Sequence, residues 1–260
     1  MNNPVMRLDK APGGAMPWQR VLGAYGAEAR SECLRYMRAP AFILPMLLFS
    51  TVFYLMFGVL LNHGDASRYL LASYSAFGII GPGLFGFGVS LAIERDGGLL
   101  TLKRALPMPP GAYLTGKMVM AMIAATVVTV LLILIGVFLA HVALTGGQMT
   151  ALLLTGALGV LPFCAMGMCV GTVITGQGAP GMLNLIYLPM AFLSGLWLPL
   201  SMLPHALQTL APIWPSYHLN QLTLAAVGSN SGQLLPHVLA LAAYTVIFLL
   251  LAVRRLRRYG

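Results

Sequence analysis

Charged residues are scarce in this sequence. Only 8% of the 260 residues are Asp, Glu, Lys or Arg, whereas 58% are hydrophobic. Soluble globular domains carry charge on about a quarter of their residues. The shortage of charge therefore excludes an ordinary soluble domain.

Cysteine is also rare, with three residues in the whole chain. Cys33 precedes the first long apolar stretch, and Cys164 and Cys169 lie inside another. Their spacing matches neither a disulfide framework nor a metal motif, so we expect inert thiols. The first 40 residues also lack a continuous apolar run that ends at a small-residue cleavage site, which argues against a removable signal peptide.

What the sequence contains instead is a series of long apolar stretches without Asp, Glu, Lys or Arg. A helix that crosses a membrane needs about 20 mostly apolar residues. The stretches meet that length, so we predict an all-α membrane protein with six transmembrane helices. The predicted domain plan is a cytoplasmic segment 1–40, a transmembrane domain 41–253 and a basic cytoplasmic tail 254–260. The predicted spans are 41–61, 69–93, 118–140, 152–175, 182–200 and 234–253.

The basic residues give the orientation. Of the 15 Lys and Arg residues, only Arg68 falls in a segment that would face the outside. Loops rich in Lys and Arg stay in the cytoplasm, so both termini are predicted there, in agreement with an even number of spans. The other basic residues are Arg7, Lys10, Arg20, Arg30, Arg35, Arg38, Arg95, Lys103, Arg104, Lys117, Arg254, Arg255, Arg257 and Arg258.

The net charge of +9 does not indicate a nucleic-acid partner. The charge follows the membrane topology and forms no basic face interleaved with aromatic residues. We expect the basic segments to contact anionic lipid head groups instead.

Motifs for chemistry are absent or incomplete. Residues 111–117 match the first seven positions of a phosphate-binding P-loop, but Met118 replaces the Ser or Thr that would bind magnesium, and no buried strand precedes them. The histidines have no metal-ligand spacing, and no paired carboxylates or nucleophile arrangement occurs. We therefore predict no metal site, no cofactor in this chain and no enzymatic activity. The histidines are His63, His141, His205, His218 and His237.

The spans also lack ionisable residues that could relay ions. Ion-coupled transporters often keep such residues within the membrane. The neutral polar groups here, such as Asn184, Ser194 and Thr172, cannot replace them. An uphill transporter of this composition would take its energy from another chain.

Two cytoplasmic segments look amphipathic. Residues 28–38, EARSECLRYMR, suit a short helix at the membrane interface, with a solvated lead-in to the first span as the alternative. The loop 94–117 begins with charged residues and glycines and continues with about two turns of amphipathic helix, which Pro107, Pro109 and Pro110 end. Such a helix can dock in a groove of a partner, although a plain surface loop fits as well. The apolar positions of that helix are Leu99, Leu100, Leu102 and Leu106.

Glycines crowd two of the predicted spans. The second carries Gly78, Gly81, Gly83, Gly86 and Gly88, and the fourth has a similar set. Small residues let membrane helices approach closely. Tight static packing and a moving, substrate-lining role are both consistent with this pattern. The glycines of the fourth span are Gly156, Gly159, Gly167 and Gly171.

The loop resembles the coupling region of permeases in the type-2 family of ATP-binding-cassette (ABC) transporters. Many of these carry Glu-Arg-Glu, one residue, Gly-Thr-Leu-Glu, and later Ser-Pro and Gly-Lys. Leu99 and Thr101 depart from the usual Thr and Glu. The positions that match or nearly match are Glu94, Arg95, Asp96, Gly98, Leu100, Pro107, Gly116 and Lys117.

A second set of residues resembles the same family near the fifth span. It is Phe192-Leu193-Ser194-Gly195, followed by Pro199, Leu203-Pro204, Pro215 and Tyr217. In such permeases this part forms short re-entrant helices in the outer leaflet. The segment 201–233 agrees with that description. It carries no formal charge and prolines interrupt it, which would be unusual for a long loop exposed to solvent.

The resemblance implies an exporter subunit with an N-terminal interfacial helix, a cytoplasmic coupling helix and re-entrant external helices between spans 5 and 6. The expected partners are cytoplasmic ABC ATPase subunits, which bind ATP and Mg²⁺, a second permease chain and membrane lipids. The expected cargo is a lipophilic drug, a lipid or a lipid-linked glycan, and the expected location is a bacterial inner membrane. The alternatives are an ion-coupled secondary transporter and a membrane anchor or sensor.

The expected site residues fall into three groups. We expect the re-entrant turn to use Ser194, Gly195, Pro199 and Pro204, and the substrate path to include Phe85, Asn184 and Phe192. The expected residues for coupling to the ATPase are Glu94, Arg95, Asp96, Gly97, Gly98, Leu99, Leu100 and Leu102.

Overall fold

The computed structural model describes residues 17–61, 64–105, 109 and 111–259. Some residues named in the sequence predictions lie outside these ranges: Arg7, Lys10, His63, Leu106, Pro107 and Pro110. Every regular element within them is helical. The α-helices are α1 (Trp18–Met37), α2 (Pro40–Phe53), α3 (Asp65–Gly81), α4 (Gly88–Asp96), α5 (Leu99–Ala105), α6 (Ala112–Phe138), α7 (Gly146–Gly159), α8 (Leu161–Gly171), α9 (Ala179–Leu193), α10 (His205–Leu210), α11 (Pro215–Ala226) and α12 (Leu235–Tyr259).

Four helices in the described part of the chain are long and apolar enough to cross a membrane. They are Asp65–Asp96, Ala112–Phe138, Gly146–Gly171 and Leu235–Arg255. The first consists of α3 and α4 joined by a π-helical turn, Pro82–Phe87. The first and fifth predicted spans correspond to shorter apolar helices, Leu47–Leu60 and Ala179–Leu193. These helices fit an all-α membrane protein.

The helix ends differ from the predicted limits for physical reasons. α6 begins at Ala112 and α12 continues to Tyr259, because a helix extends past the apolar residues that hydropathy detects. α1 begins at Trp18, earlier than the predicted interfacial helix 28–38, because its mixed polar and apolar residues give little hydropathy signal. By contrast, α9 ends at Leu193, before the predicted limit at residue 200, because the chain turns at Gly195.

The second span lies at the centre of the fold. Its helices α3 and α4 pack against α2, α6, α8 and α11. Glycines allow the closest approach, to the fourth span: a Cβ on Gly167 would lie 2.6 Å from the Leu84 carbonyl oxygen, and a Cβ on Gly171 would lie 2.6 Å from that of Gly88. The glycines of these two spans therefore bring the backbones into direct contact, as close packing requires.

The segment that was predicted to be external folds back onto the spans. After a short 3₁₀ turn, Leu200–Met202, the helices α10 and α11 follow, and α11 packs against α3, α7 and α12. Leu219, Asn220 and Thr223 of α11 are buried. This segment therefore consists of short helices, of which α11 packs against the spans whereas α10 has no buried residue.

Candidate functional site

A cluster of charged side chains joins four helices, with Glu32, Glu94 and Lys117 buried at its centre. It contains three of the six acidic residues of the chain and three cations, so its formal charges balance. Ion pairs connect all of these groups. Its members are Glu28, Glu32 and Arg35 on α1, Glu94 on α4, Lys103 on α5 and Lys117 on α6.

Lys117 is the centre of this charge cluster. Its side chain is completely buried. The ammonium Nζ donates to Glu94 Oε1 at 2.8 Å, to Ser90 Oγ at 2.8 Å and to Glu32 Oε2 at 3.2 Å. An ammonium group has three donors, so each one is used. Because an unpaired buried charge is strongly unfavourable, these partners are what allows Lys117 to occupy this position.

Glu94 and Glu32 are both nearly inaccessible and share two cations. Arg35 forms ion pairs with both carboxylates, as Lys117 does. The Tyr113 hydroxyl donates to Glu94 Oε2 at 2.6 Å. Burial lowers the pKa of the Arg35 guanidinium, but the neighbouring carboxylates of Glu94 and Glu32 outweigh this effect and raise it. Arg35 is therefore held in its charged form.

Local sequence explains why α1 and α6 meet here. Glu28, Glu32 and Arg35 are spaced four and three residues apart, so they share one face of α1. That face lies against Gly116, where a Cβ would come within 3.0 Å of Glu28 Cγ and 3.2 Å of the Ala29 nitrogen. Glycine at position 116 thus permits the close crossing that places Lys117 beside the α1 carboxylates.

Lys103 attaches the short helix α5 to the charge cluster. It forms an ion pair with Glu28, and its Nζ lies 3.3 Å from Glu32 Oε1. The same nitrogen lies 4.3 Å from the centre of the Tyr113 ring, a cation–π distance. α5 is therefore connected through one side chain to both α1 and α6.

Arg95 and Asp96 form a separate connection, to the loop between α8 and α9. Arg95 Nη1 donates to the Thr172 carbonyl at 2.6 Å, and Nη2 donates to that of Ile174 at 2.8 Å. Asp96 Oδ2 accepts from the Gly176 amide at 2.6 Å. The Arg95 guanidinium thus donates to carbonyls at the C-terminal end of α8, where the helix dipole favours a positive charge.

The remaining predicted coupling residues shape α5 itself. Gly98 has φ of 73°, a conformation that strongly favours glycine, and it turns the chain from α4 into α5. Gly97 ends α4, and Leu99 and Leu100 are half-buried. Leu102 is 66% exposed. Of the predicted apolar contacts, the structure therefore leaves Leu102 most available to a partner.

Hydrogen bonds to α11 stabilise the predicted re-entrant turn. Gly195 has φ of 75°. The Ser194 hydroxyl hydrogen-bonds that of Ser216 on α11, and the Asn220 amide donates to the Gly195 carbonyl at 3.3 Å. Pro199 precedes the 3₁₀ turn, and Pro204 is exposed just before α10. The bend after α9 is thus tied to α11.

We expect Gly195→Leu to reduce transport strongly. A side chain here would need an unfavourable left-handed backbone, and its Cβ would lie 2.7 Å from Leu200 Cγ. Pro199→Ala, which removes only a preset φ, should have a smaller effect. Transport by reconstituted vesicles measures both, and wild-type transport by Gly195→Leu would show that the bend is not required.

The residues predicted for the substrate path do not form one surface. Phe85 is half-buried and meets the Tyr187 ring edge-on, with centroids 5.4 Å apart. Tyr187 in turn stacks on Phe77 at 5.0 Å. Asn184 and Phe192 lie on an exposed face of α9. Phe85 therefore belongs to the internal ring packing, whereas the other two face outward.

Comparison with known proteins then identifies the family. The ABC-2 type transporter family matches residues 24–227, most of the chain. The chain belongs to the ABC-2 type transporter family. A protein of Bacillus subtilis (strain 168) named "Putative transport permease YvfS" is 26% identical over 227 residues, which cover 85% of this chain and 92% of that protein. The resemblance seen in the sequence is therefore confirmed.

Family membership makes this chain a multi-pass membrane permease. The matched region of the ABC-2 type chain includes the charge cluster, α5 and the bend at Gly195. Membership of this family supports a transport subunit that is not itself an enzyme and that works in a system with ATPase partners.

Sequence reasoning missed most of the charge cluster of this ABC-2 type chain. Glu28, Glu32, Arg35 and Lys103 were not identified as site residues, and Lys117 was noted only as part of a motif match. One available signal was the presence of two carboxylates and an Arg on one face of residues 28–35 in a chain with few acids.

Proposed function

We propose that this chain is the permease subunit of an ATP-driven exporter, and that α5 receives the motion of a cytoplasmic ABC ATPase. The observation that supports this most is the charge cluster. Within it, Lys103 joins α5 to α1 by ion pairs, and Lys117 joins α6 to α1 and α4. A second permease chain and two ATPase subunits would complete the transporter.

The proposed transmission has two routes. A displacement of α5 passes through Lys103 to the carboxylates of α1, and from Glu32 to Lys117 at the start of α6. The second route is the backbone itself. α5 follows α4 after two residues, Gly97 and Gly98, so a displacement of α5 also pulls on the second span, to which α4 belongs. Arg95 and Asp96 extend this route to the α8–α9 loop. Motion at one short helix would therefore reach most of the spans.

The proposed topology has six spans with both termini in the cytoplasm. A single cysteine at Gln148, in a variant without Cys33, Cys164 and Cys169, should react with an impermeant thiol reagent added to intact cells. A cysteine at Thr101 should react only after the cells are opened, because α5 would lie in the cytoplasm. Labelling of Thr101 from outside would contradict this orientation.

The proposed cargo is lipophilic or amphipathic. The exposed face of α9 offers Leu185, Leu188 and Phe192, with Asn184 as the polar group among them. An amide exposed in an apolar span is best satisfied by a partner helix or a ligand. We place the second permease chain opposite this face, with the substrate path between the two chains.

Reconstitution tests the proposal directly. Vesicles that contain this chain and its partner ATPase should move a lipophilic dye when ATP is supplied, and vesicles that lack either protein should not. Purified chain alone should neither bind nor hydrolyse ATP. Dye movement driven by an ion gradient without the ATPase would instead indicate a secondary transporter.

A further inference from the structure

Two histidines that are far apart in sequence meet on the external side. His218 lies on α11, and His237 lies in the first turn of α12. Their Nδ1 atoms are 2.9 Å apart, and both side chains are half-buried. The aromatic ring of Tyr217 packs against both imidazoles at 5.4 and 5.8 Å. The pair is therefore held between two helices that the intervening loop connects.

The hydrogen bonds select one tautomer for His218. Its Nε2 lies 3.0 Å from the Pro212 carbonyl oxygen. A carbonyl only accepts, so Nε2 carries the proton and Nδ1 of the neutral ring has the lone pair. His237 Nδ1–H then donates to that lone pair. A backbone carbonyl that fixes the ring in this way is the usual outer partner of a histidine that binds metal.

We propose that His218 and His237 form a binding site for a late first-row transition-metal ion, such as Cu²⁺, Ni²⁺ or Zn²⁺. The metal takes the place of the hydrogen bond between the two Nδ1 atoms. His237 keeps its single proton, which moves from Nδ1 to Nε2, so both rings bind the metal as neutral imidazoles and no net proton is released. With metal–nitrogen distances of about 2.0–2.1 Å, two tetrahedral ligand atoms lie about 3.3 Å apart. The observed 2.9 Å is shorter than this, so on binding the rings would move apart and turn until both lone pairs point at the metal.

The protein would supply only part of the coordination shell of the metal. No group of three or more His, Cys, Asp or Glu suited to a metal occurs in the described ranges. The two imidazoles thus supply the protein ligands, and water or an external ligand completes the coordination. A bound metal would link α11 to α12.

Metal titration of the full chain tests the site. The protein is purified in detergent with an affinity tag that contains no histidine, and binding is measured calorimetrically. We expect one ion per chain, with Cu²⁺ bound more tightly than Ni²⁺ or Zn²⁺ and with no binding of Mg²⁺. His218→Gln and His237→Gln should each weaken Cu²⁺ binding at least about tenfold.

His205→Gln provides the matched control, because His205 is exposed on α10 in the same external segment. It should bind Cu²⁺ as the wild type does. Saturating Cu²⁺ should also raise the melting temperature of the wild type and of His205→Gln, but not that of the other two variants. No binding by the wild type, or equal binding by all variants, would overturn the proposal.

Discussion

Replacing Lys117 with methionine should destabilise the protein more than any other single change in the charge cluster. The substitution keeps the length of the side chain but removes its charge. It leaves Glu32 and Glu94 in a buried site with Arg35 as their remaining shared cation. Removal of one partner from a buried ion pair costs about 3–5 kcal/mol. The melting temperature of the purified chain in detergent measures the loss.

Two further variants separate a lost ion pair from a general packing defect. Glu94→Gln combined with Lys117→Met restores the charge balance, so it should recover much of the lost melting temperature. Lys103→Met should cost less than Lys117→Met, because the Lys103 side chain is 17% exposed whereas that of Lys117 is fully buried. A Lys117→Met protein as stable as the wild type would show that the charge cluster contributes little.

Replacing Leu102 with aspartate should abolish stable binding of the partner ATPase. Leu102 is a large apolar side chain that is 66% exposed on α5. Burial of such a side chain contributes about 1.5–3 kcal/mol, and a charge in its place adds a desolvation cost. Affinity should fall by about a hundredfold, since each 1.4 kcal/mol is a factor of about ten. Copurification and binding titrations measure the loss.

Thr101→Asp is the control for the added charge. Thr101 is exposed on α5 but points away from Leu102, because successive helical residues are turned by about 100°. It should bind the ATPase nearly as the wild type does. Leu102→Met should also retain binding. Equal loss in Thr101→Asp and Leu102→Asp would mean that charge alone, and not an apolar contact, explains the result.

The features that the sequence predicts well are those that depend on neighbouring residues. The apolar stretches indicate the four helices that are long enough to cross a membrane. The glycine at position 98 indicates the turn, and the leucines after it indicate a short helix, found as Leu99–Ala105. The full length of α1 was not predicted, because its mixed polar and apolar residues give little hydropathy signal.

The charge cluster could not be predicted because it depends on long-range packing. Glu32 and Lys117 are 85 residues apart, and they meet only because α1 crosses α6 at Gly116. His218 and His237 are 19 residues apart and match no metal motif, although the fold brings their rings together. Likewise, Glu94 was predicted as a coupling residue, but its ion pairs with Arg35 and Lys117 depend on the fold and could not be read from the sequence.

The most direct test of the account is the number of substrate molecules moved per ATP hydrolysed in vesicles with the partner ATPase. Lys103→Met removes the ion pairs between α5 and α1 but leaves Leu102 in place. It should retain ATPase binding and hydrolysis, and its transport per ATP should fall several-fold. Arg20→Met, an equal change of charge at an exposed position on α1, should behave as the wild type. An unchanged ratio for Lys103→Met would contradict the role of the charge cluster in transmission.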